Sequence, residues 1–261
     1  MKITTLIENT SISPNLTAEH GLSLFVETED IRFLFDAGQT GTFADNARKL
    51  GVDLKTADFA VLSHGHYDHG GGMGRFLELN RRAKIYVNEN AFGGYHNGVQ
   101  KYIGLDPRLR ENPRLVLTGD EYAIGPGLTL HSCNELPRSV PTDPFGLTEG
   151  VGQFFLPDEF RHEHYLLAEE NGRRILFSGC SHKGILNILH WFRPDVLVGG
   201  FHFKQLAPDS RQLRSYGEAM AEYDTVFYTG HCTGEAQFEV LKEFLGDRLH
   251  AISTGSVVEI S

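Results

Sequence analysis

Cysteine is scarce in this chain, and basic side chains are outnumbered by acidic ones. Only Cys133, Cys180 and Cys232 occur among 261 residues. An odd count, with no charged-then-apolar leader ahead of it, argues against a disulfide framework and for a reducing, cytoplasmic setting. Lys and Arg total 24 against 34 for Asp and Glu, a formal charge of −10, and no long basic run offsets it locally. Nucleic acid and anionic membrane surfaces are therefore disfavoured as partners. No uninterrupted apolar run approaches the roughly 20 residues that cross a bilayer. No low-complexity linker divides the chain either, so one domain over residues 1–261 is expected. An apolar fraction of 40% is ordinary for a globular protein and sufficient for a substantial core.

Short β-rich apolar runs alternate with amphipathic stretches, which indicates an α/β fold. Strands are expected at 3–7, 22–28, 31–35, 59–62, 83–87, 165–168, 175–177, 196–198, 225–228 and 257–260. Helices are expected at 42–50, 72–79, 185–192, 212–222 and 235–244. The segment 88–163 is rich in Gly, Pro and Asn with scattered apolar runs, and reads as an irregular, lid-like connection. Five times an apolar run passes directly into a polar or glycine-bearing turn: FLFDAG (33–38), AVLSHGH (60–66), ILFSGCSH (175–182), VLVGGFH (196–202) and VFYTGHCTG (226–234). Ligands in α/β sheets bind outside the carboxyl ends of strands, so these five loops could build one site.

The second of these runs continues as SHGHYDHGGG (63–72), with His64, His66, Asp68 and His69 inside six positions. Residues two apart on a helix do not share a face, and Gly65 with Gly70-Gly71-Gly72 indicates a tight turn. Imidazoles and a carboxylate are donors for zinc, iron and manganese, and a metal offsets the cost of gathering titratable groups where solvent is sparse. A solvated loop with incidental histidines is the plain alternative. Four ligand-type residues immediately after a strand argue against it.

The pattern H-x-H-x-D-H over 64–69, behind a strand ending in Asp36 and followed by Gly230-His231, resembles the metallo-β-lactamase superfamily. IENTS (7–11), EHGLSL (19–24), LFDAG (34–38), FSGCSHKGI (177–185), VGGFH (198–202) and HCTGE (231–235) are similar to a narrower group within it. That group is the 7,8-dihydropterin-6-methyl-4-(β-D-ribofuranosyl)aminobenzene-5′-phosphate synthase-like proteins. The resemblance implies an αββα four-layer sandwich with one or two divalent metals at a shared sheet edge, zinc ahead of iron or manganese. Carried over by position, His64 and His66 would hold the first metal. Asp68, His69 and His231 would hold the second, with Asp36 behind them. The superfamily usually has a bridging aspartate where this chain has Cys180. Either Cys180 ligates as a thiolate, or it is a small buried residue and His182 is the nearby donor. The third histidine of the first site would come from RHEHYLL (161–167), as His162 or His164, with His162 favoured.

Other residues carry two readings each. His162, His182 and His202 are candidates for contacting substrate, although His202 is as readily a core histidine. His20 could face the site or end a turn. Ser181 and Lys183 could receive a phosphate at a helix start, or Ser181 could simply cap that helix. Cys133 and Cys232 read as packed, small apolar residues. Phe92, Tyr95 and Tyr102 could stack on a flat ring.

A metal lowers the pKa of its bound water to about 7 and so provides hydroxide at neutral pH, with Asp68 placed to ligate and orient it. The resemblance therefore implies a hydrolase acting on a small anionic, phosphate-bearing, pterin- or nucleotide-like molecule. A transferase of the synthase type and an iron-dependent redox or metal-binding protein are the alternatives. The expected partner is this small molecule, with neither nucleic acid nor membrane, and a homo-oligomer is compatible with the sequence.

Overall fold

Strands covered on both faces need apolar side chains at successive positions rather than alternate ones. FAVL (59–62) and VLVG (196–199) have that composition and lie inside two seven-stranded sheets in the computed structural model, which describes residues 1–261. The first sheet has the order β18 (Val257–Glu259), β1 (Lys2–Ile7), β2 (Ser23–Glu27), β3 (Arg32–Phe35), β4 (Phe59–Leu62), β5 (Lys84–Asn88), β8 (Leu115–Thr118). The second has the order β17 (Leu249–Ala251), β16 (Val226–Thr229), β15 (Val196–Gly199), β14 (Arg173–Gly179), β13 (Tyr165–Glu170), β10 (Leu128–His131), β9 (Glu121–Gly125). Neighbours are parallel from β3 to β8 and from β14 to β17.

The sheets face each other across an apolar core to which Phe33, Phe35 and Val61 contribute from one side and Leu166, Phe177 and Val198 from the other. The Phe33 ring stacks on Phe59 at 5.1 Å and meets Phe177 edge-on at 5.6 Å. Helices α1 (Thr42–Lys49), α2 (Tyr67–Gly70) and α3 (Met73–Leu79) belong to the first half of the chain. Phe43 of α1 and Phe76 of α3 bury the outer face of the first sheet. Helices α4 (Ile185–Phe192), α5 (Arg211–Ala221) and α6 (Glu235–Leu245) cover the second through Ile188, Leu213 and Leu241. The layers are thus αββα, as the resemblance implied. No helix is long and apolar enough to cross a membrane.

The segment 88–163 departs from the expected irregular lid. Seven strands lie within or begin in it. Strand β8 extends the first sheet beside β5, and β9 and β10 extend the second beside β13. A separate four-stranded sheet has the order β12 (Phe154–Pro157), β11 (Leu147–Val151), β6 (Gly94–Asn97), β7 (Lys101–Tyr102). These strands are short; β9–β10, β6–β7 and β11–β12 are local hairpins, but each is joined to a sheet through a remote partner or, like β8, pairs only remotely, as with Leu117 opposite Val87 and Leu130 opposite Leu166. Local composition does not encode such pairing.

Candidate metal centre

The carboxyl ends of β3, β4, β14, β15 and β16 meet at one edge of the sandwich and carry Asp36, His64, Cys180 with His182, His202, and His231. Four of these turns need left-handed backbone at a residue other than glycine. Asp36 has φ 58°, Ser181 58°, His202 56° and His231 51°. Such conformations cost of order 1–3 kcal/mol each and persist where surrounding contacts hold them, as at functional sites.

After β4 the chain turns through Ser63-His64-Gly65-His66 and enters α2, whose first turn presents Asp68 and His69. Gly71 makes the turn possible. A Cβ there would lie 2.2 Å from the Gln39 carbonyl oxygen and 2.6 Å from that of Tyr67. The loop thus packs beneath the Asp36–Thr40 turn, with the Ala37 N–H donating to the His69 carbonyl at 2.7 Å.

Buried Asp36 organises what lies above it. Its Oδ1 accepts the Ser63 backbone N–H at 2.7 Å, and its Oδ2 accepts the Ser63 hydroxyl at 2.7 Å. The same Oδ2 is 2.6 Å from His69 Nδ1. Ser63 Oγ also lies 2.8 Å from His64 Nδ1. A histidine fixed through one nitrogen presents the other to a metal. His231 is held comparably, with Nδ1 3.0 Å from Asn9 Oδ1 and its backbone N–H on Glu8.

His64 Nε2, His66 Nε2 and both ring nitrogens of His182 are buried with no hydrogen-bond partner. Donor atoms of these three residues lie within 4.8 Å of one another. Beside them, His69 Nε2 is 3.1 Å from Cys180 Sγ and 3.2 Å from His231 Nε2, and Asp68 Oδ2 is 3.4 Å from His231 Nε2. Two nitrogens around a tetrahedral zinc stand about 3.3 Å apart. The donors present therefore fit divalent metal, and buried polar nitrogens without partners are costly unless something binds them.

Of the two expected third donors, His162 adjoins the first cluster, its ring 4.9 Å from that of His66, whereas His164 turns to the end of β4. His162 Nδ1 accepts the Gly65 N–H at 2.9 Å, its Nε2 lies 3.1 Å from Asp158 Oδ2, and its ring packs on Tyr95 at 3.9 Å. An ion could also fit among His66, Asp158 and His162, but both His162 nitrogens already have protein partners. His164 bonds the Leu62 carbonyl at 2.7 Å and approaches Thr118. The histidine with free nitrogens is His182, whose ring stacks on Phe160 at 4.4 Å.

Lys183 is buried and donates to Ser132 O, Asn134 Oδ1 and Glu163 O. It is a staple between loops and does not await a phosphate. Ser181 does not cap α4, which starts after Gly184, and its hydroxyl pairs with that of Ser178. Tyr95 is buried with its hydroxyl on the Asn90 carbonyl, so it offers no stacking face. Neither Phe92 nor Tyr102 lines the cavity above the donors. That cavity, about 190 Å³, has His66, Asp68, Cys180, His182, His202 and His231 in its wall and Tyr67, Lys101 and Lys204 around it. Two further residues belong to it. Half-exposed His20 lies 3.3 Å from Asp68, and Cys232 also lines the wall.

Burial pushes His66 down to about 3 and His164 to about 4. Burial, followed by neighbouring histidines, also holds His64 and His182 well below the usual range. Neutral imidazole is the ligating form. Burial opposes charge on His69, but Asp36 and Asp68 outweigh it and raise the group to about 9. Burial likewise opposes the Asp68 carboxylate, yet His69, His20 and His231 keep it ionised well below the ordinary range.

These shifts set the stability of the metal-free protein. Unfolded histidines titrate near 6.5, so between pH 6.5 and 4 the unfolded state binds more protons at His66 and His164. Stability should fall on acidification there by up to about 1.4 kcal/mol per histidine per pH unit. His69 acts oppositely, stabilising below pH 6.5 and losing that contribution as pH rises through about 9. Melting temperature against pH should peak near neutrality, and zinc should abolish the alkaline decline because it replaces the His69 proton. A flat profile from pH 7 to 4.5 would contradict the buried neutral histidines.

Fold and donor set together define a protein with a metal-dependent hydrolase-like architecture and a histidine-rich candidate metal site. The chain belongs to the metallo-beta-lactamase superfamily, whose family model matches residues 16–231. It is 29% identical to the 7,8-dihydropterin-6-methyl-4-(beta-D-ribofuranosyl)-aminobenzene-5′-phosphate synthase of Methanocaldococcus jannaschii, over 96% of this chain and 95% of that protein. An uncharacterized protein of the same organism is 28% identical over 88% and 89% of the two chains. Among solved structures, Tm1679, a metal-dependent hydrolase of the beta-lactamase superfamily, superposes with a TM-score of 0.85 at 28% identity, covering 100% and 99% of the two chains.

Proposed function

We propose that this protein is a hydrolase using two divalent metals, zinc before iron or manganese, on a small anionic, phosphate-bearing substrate of pterin- or nucleotide-like kind. The observation that carries this reading is the set of buried, partnerless imidazole nitrogens on His64, His66 and His182, facing Cys180 and the His69–His231 pair. In this reading His64, His66 and His182 would hold one metal and Asp68, His69 and His231 the other, with Cys180 as a thiolate donor beside them. When bound, the metals supply hydroxide at neutral pH and Lewis acidity for developing negative charge.

The chain's own residues provide the remainder. Asp68 orients the attacking water, and His20 beside it at the cavity mouth can pass a proton to the leaving group. Lys101 and Lys204 offer positive charge to the anion in a chain whose net charge of −10 would otherwise repel it. Lys101 is steadied by the Tyr67 hydroxyl at 3.3 Å. Each of Lys101→Ala and Lys204→Ala should raise KM about tenfold with little change in kcat, the loss of one charge-assisted contact worth ~1.5 kcal/mol. Unchanged KM in both variants would remove the lysines from substrate binding.

The test is elemental analysis of the purified protein joined to a phosphoester screen with zinc, manganese or iron loaded. Two metals per chain with ester cleavage are expected. A protein that takes up no divalent metal, or that carries two and turns over no phosphoester, would overturn the proposal. Similarity to the synthase along nearly the whole chain favours one other reading, a transferase joining a dihydropterin to a ribofuranosylaminobenzene phosphate. Formation of the joined product in preference to hydrolysis would decide for it.

A further inference from the structure

The arrangement above uses one of two thiols at the site. The second, Cys232, stands in the short turn after β16, immediately beyond His231, and lines the same cavity. We propose that Cys232 is a second thiolate donor to the metal beside His231, so that this metal is flanked by a pair of sulfurs from Cys180 and Cys232. This inference rests on the metal reading given above.

Three observations support it. Donor atoms of Cys180, His231 and Cys232 lie within 4.8 Å of one another, a spread that one ion can span. Room for the sulfur is opened by a missing side chain, because a Cβ on Gly200 would lie 2.3 Å from Cys232 Sγ. The backbone also points a donor at it, the His202 N–H at 3.3 Å, from a residue with φ 56°. An N–H aimed at sulfur favours a thiolate. The other polar contact of Cys232 is the Cys180 carbonyl at 3.6 Å, which a neutral thiol would use and which a thiolate relinquishes as its proton leaves for solvent.

Charge balance agrees with the geometry. Two divalent cations bring four positive charges into a closed site where the imidazole ligands are neutral. Asp68 and Cys180 return two, and Asp36 behind His69 a third. A Cys232 thiolate supplies the fourth while water is the bound oxygen, before hydroxide forms, and an adjacent metal is what holds a thiol deprotonated. Cys133 has no such surroundings, being packed among apolar side chains.

Cobalt(II) substitution tests the assignment, because thiolate bonded to cobalt gives a near-ultraviolet charge-transfer band whose intensity follows the number of sulfurs. Relative to the parent, Cys180→Ser and Cys232→Ser should each lose about half of that band while visible cobalt bands persist, and Cys133→Ser should keep all of it. A full-strength band in Cys232→Ser would overturn the inference and leave the metal reading standing. Absence of all cobalt bands in the parent would overturn both. Should Cys232→Ser fail to fold, alkylation of the unaltered protein answers instead. Zinc should slow labelling of Cys232 about tenfold or more and a chelator should restore it, while equal labelling would overturn the assignment.

Discussion

His182→Ala is expected to lose one metal equivalent and about a thousandfold in kcat, ~4 kcal/mol of transition-state stabilisation. His162→Gln is expected to retain both metals. The contrast follows from where the nitrogens go. Both ring nitrogens of His182 are buried without partners beside those of His64 and His66. Those of His162 are committed to Gly65 and Asp158. A glutamine carbonyl can still accept the Gly65 N–H, so His162→Gln should show mainly as reduced stability. Metal content by elemental analysis and kcat of the loaded variants decide the matter. Loss of metal from His162→Gln with retention in His182→Ala would transfer the ligand role to His162.

Asp36→Asn should have the largest effect of any substitution that touches no metal. The carboxylate accepts from Ser63 twice and engages His69 Nδ1, all out of solvent. Asparagine tolerates the left-handed backbone at this position better than most residues, so the change tests charge and acceptor capacity rather than strain. Breaking a buried ionic contact from one side costs about 3–5 kcal/mol. Removing the group that orients a ligating histidine costs about 10–100-fold in metal affinity. Denaturant unfolding with zinc bound, together with chelator competition, would measure both. An Asn variant with parental stability and affinity would show that the Ser63 and His69 contacts are incidental.

The first half of the centre was legible because it is contiguous. Strand, turn and donors follow one another in AVLSHGHYDHGGG, and the glycines that let the loop pass beneath the Asp36–Thr40 turn are written beside the donors they serve. The five longer helices match the expected spans within a residue or two, since each carries its own apolar stripe, as Ile185, Ile188 and Leu189 do in α4, whereas the single turn α2 reads in sequence as a tight turn. Runs such as FAVL and VLVG indicate strands covered on both faces, whereas the αββα order itself was implied by the resemblance to the superfamily.

Choices between neighbouring residues were decided by tertiary structure. The resemblance favours His162 over His164 as a donor and offers His182 only in place of Cys180. Gly179 and Ser181, at φ 63° and 58°, turn the chain after β14 so that His182 enters the site. Asp158, Gly65 and Tyr95, each from a different loop or strand, claim His162 for the scaffold. Cys232 reads as a packed thiol until Gly200, thirty-two positions away, is found to leave room for its sulfur beside Cys180. Strands β8 and β10 within 88–163 are not legible for the same reason, being held by partners such as Val87 and Leu166 from remote parts of the chain. Sequence by itself determined the H-x-H-x-D-H run, the strand-end turns and the α/β class, because these depend on residues adjacent in the chain. Which nitrogen or sulfur faces the cavity depends on contacts between loops far apart in sequence, and only closure of the two sheets brings those loops together.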